Sequence, residues 1–302
     1  MTRHQAAPQP RPDLYDRITA KIIADLECGV RPWTKPWSAD HLAGCITRPL
    51  RHNSQPYSGI NVFLLWMEAS AHGYSAPIWM TFRQALELGG HVRKGETGST
   101  VVYANRIKRT EQDDNGQDVE HEIPFLKAYA VFNVEQIDGL PGSFSAPAQT
   151  LLDPAARVAH AEAVVAATGA DVRHGGSQAY YAISEDRVQL PPFESFIDPQ
   201  AYYATVTHEL THWTRHPSRL DRDFGRQRWG DEGYAREELV AELGAAFLCA
   251  DLGLELTPRE DHAGYIASWL AVLKGDRRFI FTAAAHAQRA ADYMHSLQPA
   301  PV

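Results

Sequence analysis

Two histidines and a glutamate are spaced so that the histidines can bind one metal ion and the glutamate can act on a water bound to it. His208, Glu209 and His212 form the pattern H-E-x-x-H inside the segment A-Y-Y-A-T-V-T-H-E-L-T-H-W, which is predicted to be helical. Residues four apart lie on one face of an α-helix, so both imidazoles can reach one ion at ~2.0–2.1 Å. Glu209 is positioned to act as a general base, accepting a proton from a water that the metal acidifies. The alternative is a hydrogen-bonded pair of core histidines.

A catalytic zinc site of this kind needs a third protein ligand. The predicted helix R-E-E-L-V-A-E-L-G-A-A-F-L offers Glu238 and Glu242, which are four apart and border an apolar face. A carboxylate in such a place is costly unless it is paired or bound to metal. By analogy with other H-E-x-x-H peptidases we favour Glu238 as the ligand and Glu242 as its support, with the reverse assignment open. Alternatively both are exposed charges, with Glu238 paired to Arg236 or Arg228.

The first third of the chain combines basic residues with aromatic rings. Residues 1–110 hold 14 Lys and Arg against 8 Asp and Glu, although the whole chain has a net charge of −8. Stacking rings beside a basic track are typical of proteins that bind single-stranded nucleic acid. The candidate DNA contacts are Trp33, Lys35, Trp37, Tyr57, Arg83, Arg93 and Lys94. The alternatives are an uneven scatter of surface charge and rings that pack in turns or in the core.

Periodicity and capping signals predict the elements that position these residues. A helix begins after Asp13 and ends at Gly29, and further helices are predicted at 61–71, from Thr81 to Gly89, and at 154–168, 199–215, 234–250, 261–274 and 276–296. Strands are predicted at 99–108 and 123–133, joined by an acidic D-D-N-G turn, and at 179–183 and 186–190. In H-E-x-x-H peptidases a strand before the motif receives extended substrate by strand addition.

The composition of the chain indicates the cellular compartment and the class of protein. No run of eighteen apolar residues occurs, so we expect no transmembrane helix and no membrane partner. Residues 1–12 are polar and proline-rich, which favours a disordered tail over a signal peptide. Cys28, Cys45 and Cys249 form no C-x-x-C pair. These features predict a soluble protein of the reducing cytoplasm.

Motifs along nearly the whole chain after residue 12 match a known family. They include L-Y-D-R-I-T-A-K-I-I-A-D-L-E-C-G-V-R-P-W-T-K-P-W at 14–37, G-I-N-V-F-L-L-W at 59–66, W-M-T-F-R-Q-A at 79–85, G-G-H-V-R-K-G-E-T-G at 89–98, A-V-F-N-V-E-Q-I-D-G-L at 130–140, H-E-L-T-H-W at 208–213 and Y-A-R-E-E-L-V-A-E-L-G-A-A-F-L at 234–248. The chain resembles the ArdC-type antirestriction proteins of conjugative plasmids.

The resemblance implies an α+β protein of two domains. We place the tail at 1–12, a single-stranded-DNA-binding domain at 13–138, a linker at 139–152 and a mainly helical, zincin-like metallopeptidase domain with a small sheet at 153–302. The implied role is binding of single-stranded DNA and protection of incoming conjugative DNA from host restriction. Double-stranded DNA is a further candidate partner, and zinc is the default metal, with manganese or another divalent ion as alternatives.

Two other functions remain open at the level of sequence. The chain could be a metalloendopeptidase that acts on a protein substrate of unknown identity and uses its N-terminal domain for recognition. The metal could also be purely structural, although closed structural sites take four protein ligands and this chain offers three.

Overall fold

The computed structural model of the chain describes residues 13–29, 47–112, 118–144, 154–225, 231–254 and 262–299. These residues have the expected α+β architecture with two domains. Their α-helices are α1 (Leu14–Glu27), α2 (Ile60–His72), α3 (Phe82–Glu87), α4 (Pro154–Ala167), α5 (Pro199–Trp213), α6 (Glu232–Leu252), α7 (His262–Gly275) and α8 (Phe279–Ser296). Their strands are β1 (Leu50–Arg51), β2 (Ile78–Met80), β3 (His91–Val92), β4 (Ser99–Gln112), β5 (Asp118–Asn133), β6 (Ile137–Asp138), β7 (Asp171–His174), β8 (Tyr180–Ala182) and β9 (Arg187–Leu190).

The N-terminal domain is built around a four-stranded sheet of order β1-β2-β5-β4. β1 and β2 are parallel, and the remaining pairs are antiparallel. β4 and β5 form a long two-stranded ribbon, called the ribbon below, paired from Ser99 with Val131 to Gln112 with Asp118. Helix α2 packs on β4, where the Asn61 side chain donates to the Val102 carbonyl at 2.8 Å and accepts from its N–H at 2.7 Å. These bonds satisfy two backbone groups of the edge strand.

The C-terminal domain consists of packed helices beside a three-stranded sheet of order β7-β9-β8. β7 runs parallel to β9 and β8 antiparallel to it, so β8 lies at one edge. Helix α6 packs against α5, α7 and α8 and is buried on every side between residues 237 and 250. A helix buried all round forms the centre of its domain.

One hydrophobic core runs through both domains. The rings of Phe63 on α2 and Phe247 on α6 stack with centroids 5.0 Å apart. Arg48 reaches from the N-terminal domain to α6, with its Nε 2.9 Å from a carboxylate oxygen of Asp251 and its guanidinium 4.3 Å from the centre of the Phe247 ring. The two domains are therefore packed against each other and share one core in this structure.

The long elements confirm the sequence-based predictions, with ends that differ by a few residues. Asp13 caps α1 as predicted, since its Oδ1 accepts from the N–H of Asp16 at 2.8 Å. Strands β1, β2, β3, β6 and β7 were not predicted. They are two to four residues long, which is too short for an alternating pattern to be visible, and they form only because distant segments pair with them.

The predicted linker is partly packed against the N-terminal domain. Leu140 and Phe144 contact a small apolar cluster that contains Met80, Val134 and Ile137. Residues 145–153 and the predicted tail at 1–12 lie outside the described residues, so the proposed domain boundaries stay predictions. Among the residues described, no helix is both long and apolar enough to span a bilayer.

Candidate metal centre

Helix α5 carries both histidines of the H-E-x-x-H pattern into the protein interior. Its first turn is capped by Asp198, whose Oδ1 accepts from the N–H of Ala201 at 2.7 Å, and Pro199 occupies the start of the helix. Every residue from 202 to 213 is buried. The rings of His208 and His212 face the same side with centroids 4.9 Å apart, as the four-residue spacing requires.

Helix α6 brings a carboxylate between the two imidazoles. Glu238 Oε2 lies 3.5 Å from His208 Nε2, and Glu238 Oε1 lies 3.4 Å from His212 Nε2. Ligand atoms of all three residues lie within 4.8 Å of one another. Two ligands of a tetrahedral ion bound at ~2.1 Å are ~3.4 Å apart, so these separations suit a single divalent ion. Two imidazoles and a carboxylate are also a donor set that divalent metals accept.

A close approach of the two helices sets this geometry. Gly244 on α6 faces Thr211 on α5, and a Cβ atom placed on Gly244 would lie 2.5 Å from the Thr211 Cγ2. That separation is far inside van der Waals contact. The absence of a side chain at Gly244 therefore lets α6 come near enough for Glu238 to meet the histidines.

A second layer of carboxylates stands behind the imidazoles. Glu237 Oε1 lies 3.1 Å from His212 Nδ1, and Glu242 Oε2 lies 3.7 Å from His208 Nδ1. A carboxylate behind a ligating histidine orients the ring and directs its other nitrogen towards the metal. The sequence assigned this supporting role to Glu242, and the geometry is consistent with it. Glu237 was missed, since no periodic signal separates it from a solvated helix charge.

Arg222 anchors Glu237 from the opposite side. Its Nε and Nη2 each donate to a Glu237 carboxylate oxygen at 2.8 Å, and Nη2 also donates to the Thr211 carbonyl at 2.8 Å. Both side chains are almost fully buried. A bidentate pair of this kind holds the carboxylate in one orientation.

The carboxylates dominate the protonation of the site. Burial lowers the pKa of His212, but Glu238 and Glu237 outweigh burial and raise the pKa to about 10. Burial raises the pKa of Glu237, yet Arg222 and His212 bring it down to about 2. The pKa of Glu238 is held well below its usual range against burial by the two histidines. The carboxylates thus favour a positive charge on or between the imidazoles, and an incoming metal ion would take the place of a proton.

The three candidate ligands open into a cavity of about 160 Å³. Glu209 lines it next to the histidines, as do Tyr234 and Tyr265, whose hydroxyls are 3.1 Å apart. Arg215, just after the end of α5, also lines it, and its buried Nε has no hydrogen-bond partner among the residues that the structure describes. Hydrogen-bond donors and a buried carboxylate therefore surround the space in front of the candidate metal position.

The edge strand β8 forms one wall of the same cavity. Tyr180 and Tyr181 both line it. The Tyr181 hydroxyl donates to Asp186 Oδ1 at 2.8 Å, and Arg219 bonds Asp186 through both terminal nitrogens. Arg219 also donates from Nε to the Trp213 carbonyl at the end of α5, at 2.7 Å. These contacts fix the edge strand relative to α5.

Comparisons with known proteins agree with this architecture. Residues 12–132 match the family model of the N-terminal domain of the anti-restriction factor ArdC, and residues 159–286 match a zincin-like metallopeptidase model. The crystal structure of the antirestriction protein ArdC of plasmid R388, in its metal-free form, is 46% identical, covers 95% of this chain and 98% of that one, and superposes with a TM-score of 0.78.

The chain belongs to the ArdC antirestriction family. The Mn(II)-bound crystal structure of the same R388 protein matches with a TM-score of 0.77 at 44% identity. An uncharacterized Sinorhizobium fredii protein, y4eC, is 45% identical over 96% of this chain and 94% of its own length. A DNA primase TraC of Escherichia coli is 38% identical over 93% of this chain, which spans only 27% of that protein.

The candidate DNA contacts differ in burial and in the partners that they already have. Trp33, Lys35 and Trp37 lie outside the described residues. Tyr57 is buried in the core, with the Arg51 guanidinium 5.3 Å from its ring centre, so it offers no face for a base. The sequence could not distinguish this buried ring from an exposed one.

The predicted basic contacts differ in whether they already form ion pairs with neighbouring carboxylates. Arg83 donates to Glu87 at 2.8 Å, and Arg93 donates to Glu96 at 2.8 Å and lies 3.6 Å from Asp138. Lys94 is exposed and makes no ion pair within the described part of the chain.

Proposed function

We propose that this protein is an antirestriction factor that binds single-stranded DNA and protects incoming conjugative DNA from restriction in the recipient. Its near end-to-end similarity to ArdC of plasmid R388 is the observation that carries the proposal. The basic, aromatic-rich N-terminal domain agrees with it, because DNA binding draws on counterion release and on stacking.

We propose a divalent metal ion held by His208, His212 and Glu238. Zinc fits the donor set, and manganese is an equal candidate because the R388 relative has a Mn(II)-bound crystal structure. Such an ion would supply Lewis acidity and acidify a water in the cavity. Around it, Glu237 and Glu242 orient the imidazoles, and Glu209 offers a carboxylate that can accept and return a proton.

A second candidate function is hydrolysis of a protein substrate. The observation that favours it is the position of β8, a sheet edge whose Tyr180 and Tyr181 line the cavity. An extended peptide can pair with such an edge and thereby pass the metal position. Arg215 also lines the cavity and could donate a hydrogen bond to the negative charge that develops on a carbonyl oxygen.

Conjugation into matched recipients tests the main proposal. Transfer of a plasmid that carries restriction sites is counted in restriction-proficient and restriction-deficient cells, with and without this protein. We expect the protein to raise transfer into restricting cells selectively. An equal, low frequency in restricting cells with and without the protein would contradict the proposal.

Glu209→Gln separates the two candidate functions. The substitution keeps the size of the side chain and removes its basicity, so we expect metal content and DNA binding to persist. If protection also persists, hydrolysis is not required for it. If protection is lost while metal and DNA are still bound, protection depends on hydrolysis by the metallopeptidase domain.

A further inference from the structure

An exposed row of apolar side chains runs along one face of the ribbon. Tyr103, Ile107 and Tyr129 are 49%, 53% and 47% exposed, and they lie together on one face, where a contiguous apolar patch indicates an interaction site. The same face is buried at its base, where Val101 and Val131 join the core. The face therefore emerges from the core and continues outward into solvent.

The register of the ribbon spaces these side chains regularly. Tyr129 faces Val101, Tyr103 faces Lys127, Phe125 faces Asn105, and Ile107 faces Ile123. Successive cross-strand pairs on one face of a ribbon are two residues apart, about 6.8 Å along the strand. Each of the four levels thus carries at least one large apolar side chain, and the first three carry rings that alternate between β5 and β4.

Polar groups on the same face are donors or cations. The Lys127 ammonium lies 5.3 Å from the centre of the Phe125 ring, and Asn105 Nδ2 donates to the Tyr103 hydroxyl at 2.6 Å. The described side chains of this face include no carboxylate. On this described part of the face a phosphate meets no like charge, and Lys127 can contact it beside the rings.

We infer that this face of the ribbon is the platform on which single-stranded nucleic acid stacks its bases, with Tyr129, Tyr103 and Phe125 each facing one base. The inference rests on the proposed DNA-binding function and assigns it a surface. A spacing of about 6.8 Å is twice the ~3.4 Å rise of stacked bases, so an extended strand can present one base to each ring. Paired bases in a duplex expose no such faces.

The interleaving of polar groups favours nucleic acid over a protein partner. Lys127 and Asn105 stand opposite Tyr103 and Phe125, which breaks the apolar area into separate rings. Protein interfaces have cores from which charged residues are depleted, whereas single-strand platforms combine rings with a basic track.

Fluorescence anisotropy with labelled thymidylate oligonucleotides of about 20 residues tests the inference. The full chain is compared with Tyr103→Ala, Tyr129→Ala, the double variant and the conservative Tyr103→Phe/Tyr129→Phe. We expect each lost ring to weaken binding roughly 5- to 100-fold, and the phenylalanine variant to bind like the wild type. Phe193→Ala, which removes an exposed ring of the other domain, is the matched control and should bind normally.

Salt dependence and duplex competition complete the test. We expect Lys127→Ala to reduce the slope of log affinity against log salt between about 50 and about 200 mM, and a duplex of the same length to compete poorly. Wild-type binding that survives in the double alanine variant would overturn this inference alone. Equal competition by duplex would also overturn it. Absence of any single-strand binding by the wild type would overturn the proposed function together with it.

Thermal unfolding curves and metal content of each variant distinguish loss of a binding surface from loss of the fold. If the alanine variants unfold, the phenylalanine variant combined with Lys127→Ala still tests the surface. It must then keep base stacking and lose part of the salt slope, and a wild-type slope in that variant would count against the platform.

Discussion

Glu237 lies directly behind His212, with its Oε1 3.1 Å from Nδ1, while Glu238 lies 3.4 Å from Nε2 on the other side of the ring. The two neighbouring carboxylates of one helix therefore bracket one imidazole. Glu237 accepts a hydrogen bond from the Nδ1–H, which leaves Nε2 facing the candidate metal position. Arg222 prevents Glu237 from turning away.

Replacing Glu237 with glutamine should weaken metal binding about 10- to 100-fold, because the ring loses its charged support. The change also leaves the guanidinium of Arg222 buried without its counter-charge, so the free energy of unfolding should fall by about 3–5 kcal/mol. Competition with a chelator and chemical denaturation measure the two effects. Glu232→Gln, at the exposed start of the same helix, is the control, and equal metal affinity in both variants would refute the role of Glu237.

Gly244→Ala should push α5 and α6 apart. The new methyl group would overlap Thr211, so we expect a loss of about 1–3 kcal/mol in the free energy of unfolding and weaker metal binding. Thr211→Ala in the same chain removes the two nearest atoms and should restore part of both. Gly275→Ala, where the added Cβ meets open space, serves as control. Unchanged stability of Gly244→Ala would show that the helices can shift freely.

His286 should make stability depend on pH. Burial, with Arg289 and Arg222, lowers its pKa to about 4, below the ~6.5 of an unfolded chain. The unfolded chain then binds more protons between these values, so the free energy of unfolding contributed by this group falls as pH drops from about 6.5 to about 4.

Denaturation across this pH range checks the prediction. The decline should be shallower in His286→Gln than in the wild type, whereas His160→Gln, an exposed position on α4, should keep the wild-type decline. An identical decline in His286→Gln and the wild type would rule out a contribution from His286.

Arg219→Lys should loosen the edge strand. Lysine keeps the charge but cannot hold Asp186 through two nitrogens while also reaching the Trp213 carbonyl. We expect faster hydrogen exchange of the β8 and β9 amides, with exchange in α5 unchanged. Arg173→Lys, an exposed arginine on β7 of the same sheet, should leave exchange as it is. Slow exchange in Arg219→Lys would mean that strand pairing alone positions β8.

Whether a feature could be predicted from the sequence depends on how far apart in the chain the interacting residues are. His208 and His212 could be recognised because their spacing matches one helical turn, and Asp13 because a capping side chain bonds to its own helix. Glu238 could be nominated because a carboxylate at the border of an apolar face needs a partner. Tyr57 was misplaced among the exposed contacts because its burial depends on segments far away in the chain.

The sequence by itself determined the two helices of the candidate metal centre, the long ribbon and the family, since each rests on local periodicity or on motifs. Only the tertiary structure decided that Glu237 and Arg222 support His212 and that Gly244 admits α6 to α5. It also decided that Tyr103 and Tyr129 face solvent. These facts depend on which surfaces meet, and the same residue types could have served as core or as solvated surface until the chain was folded.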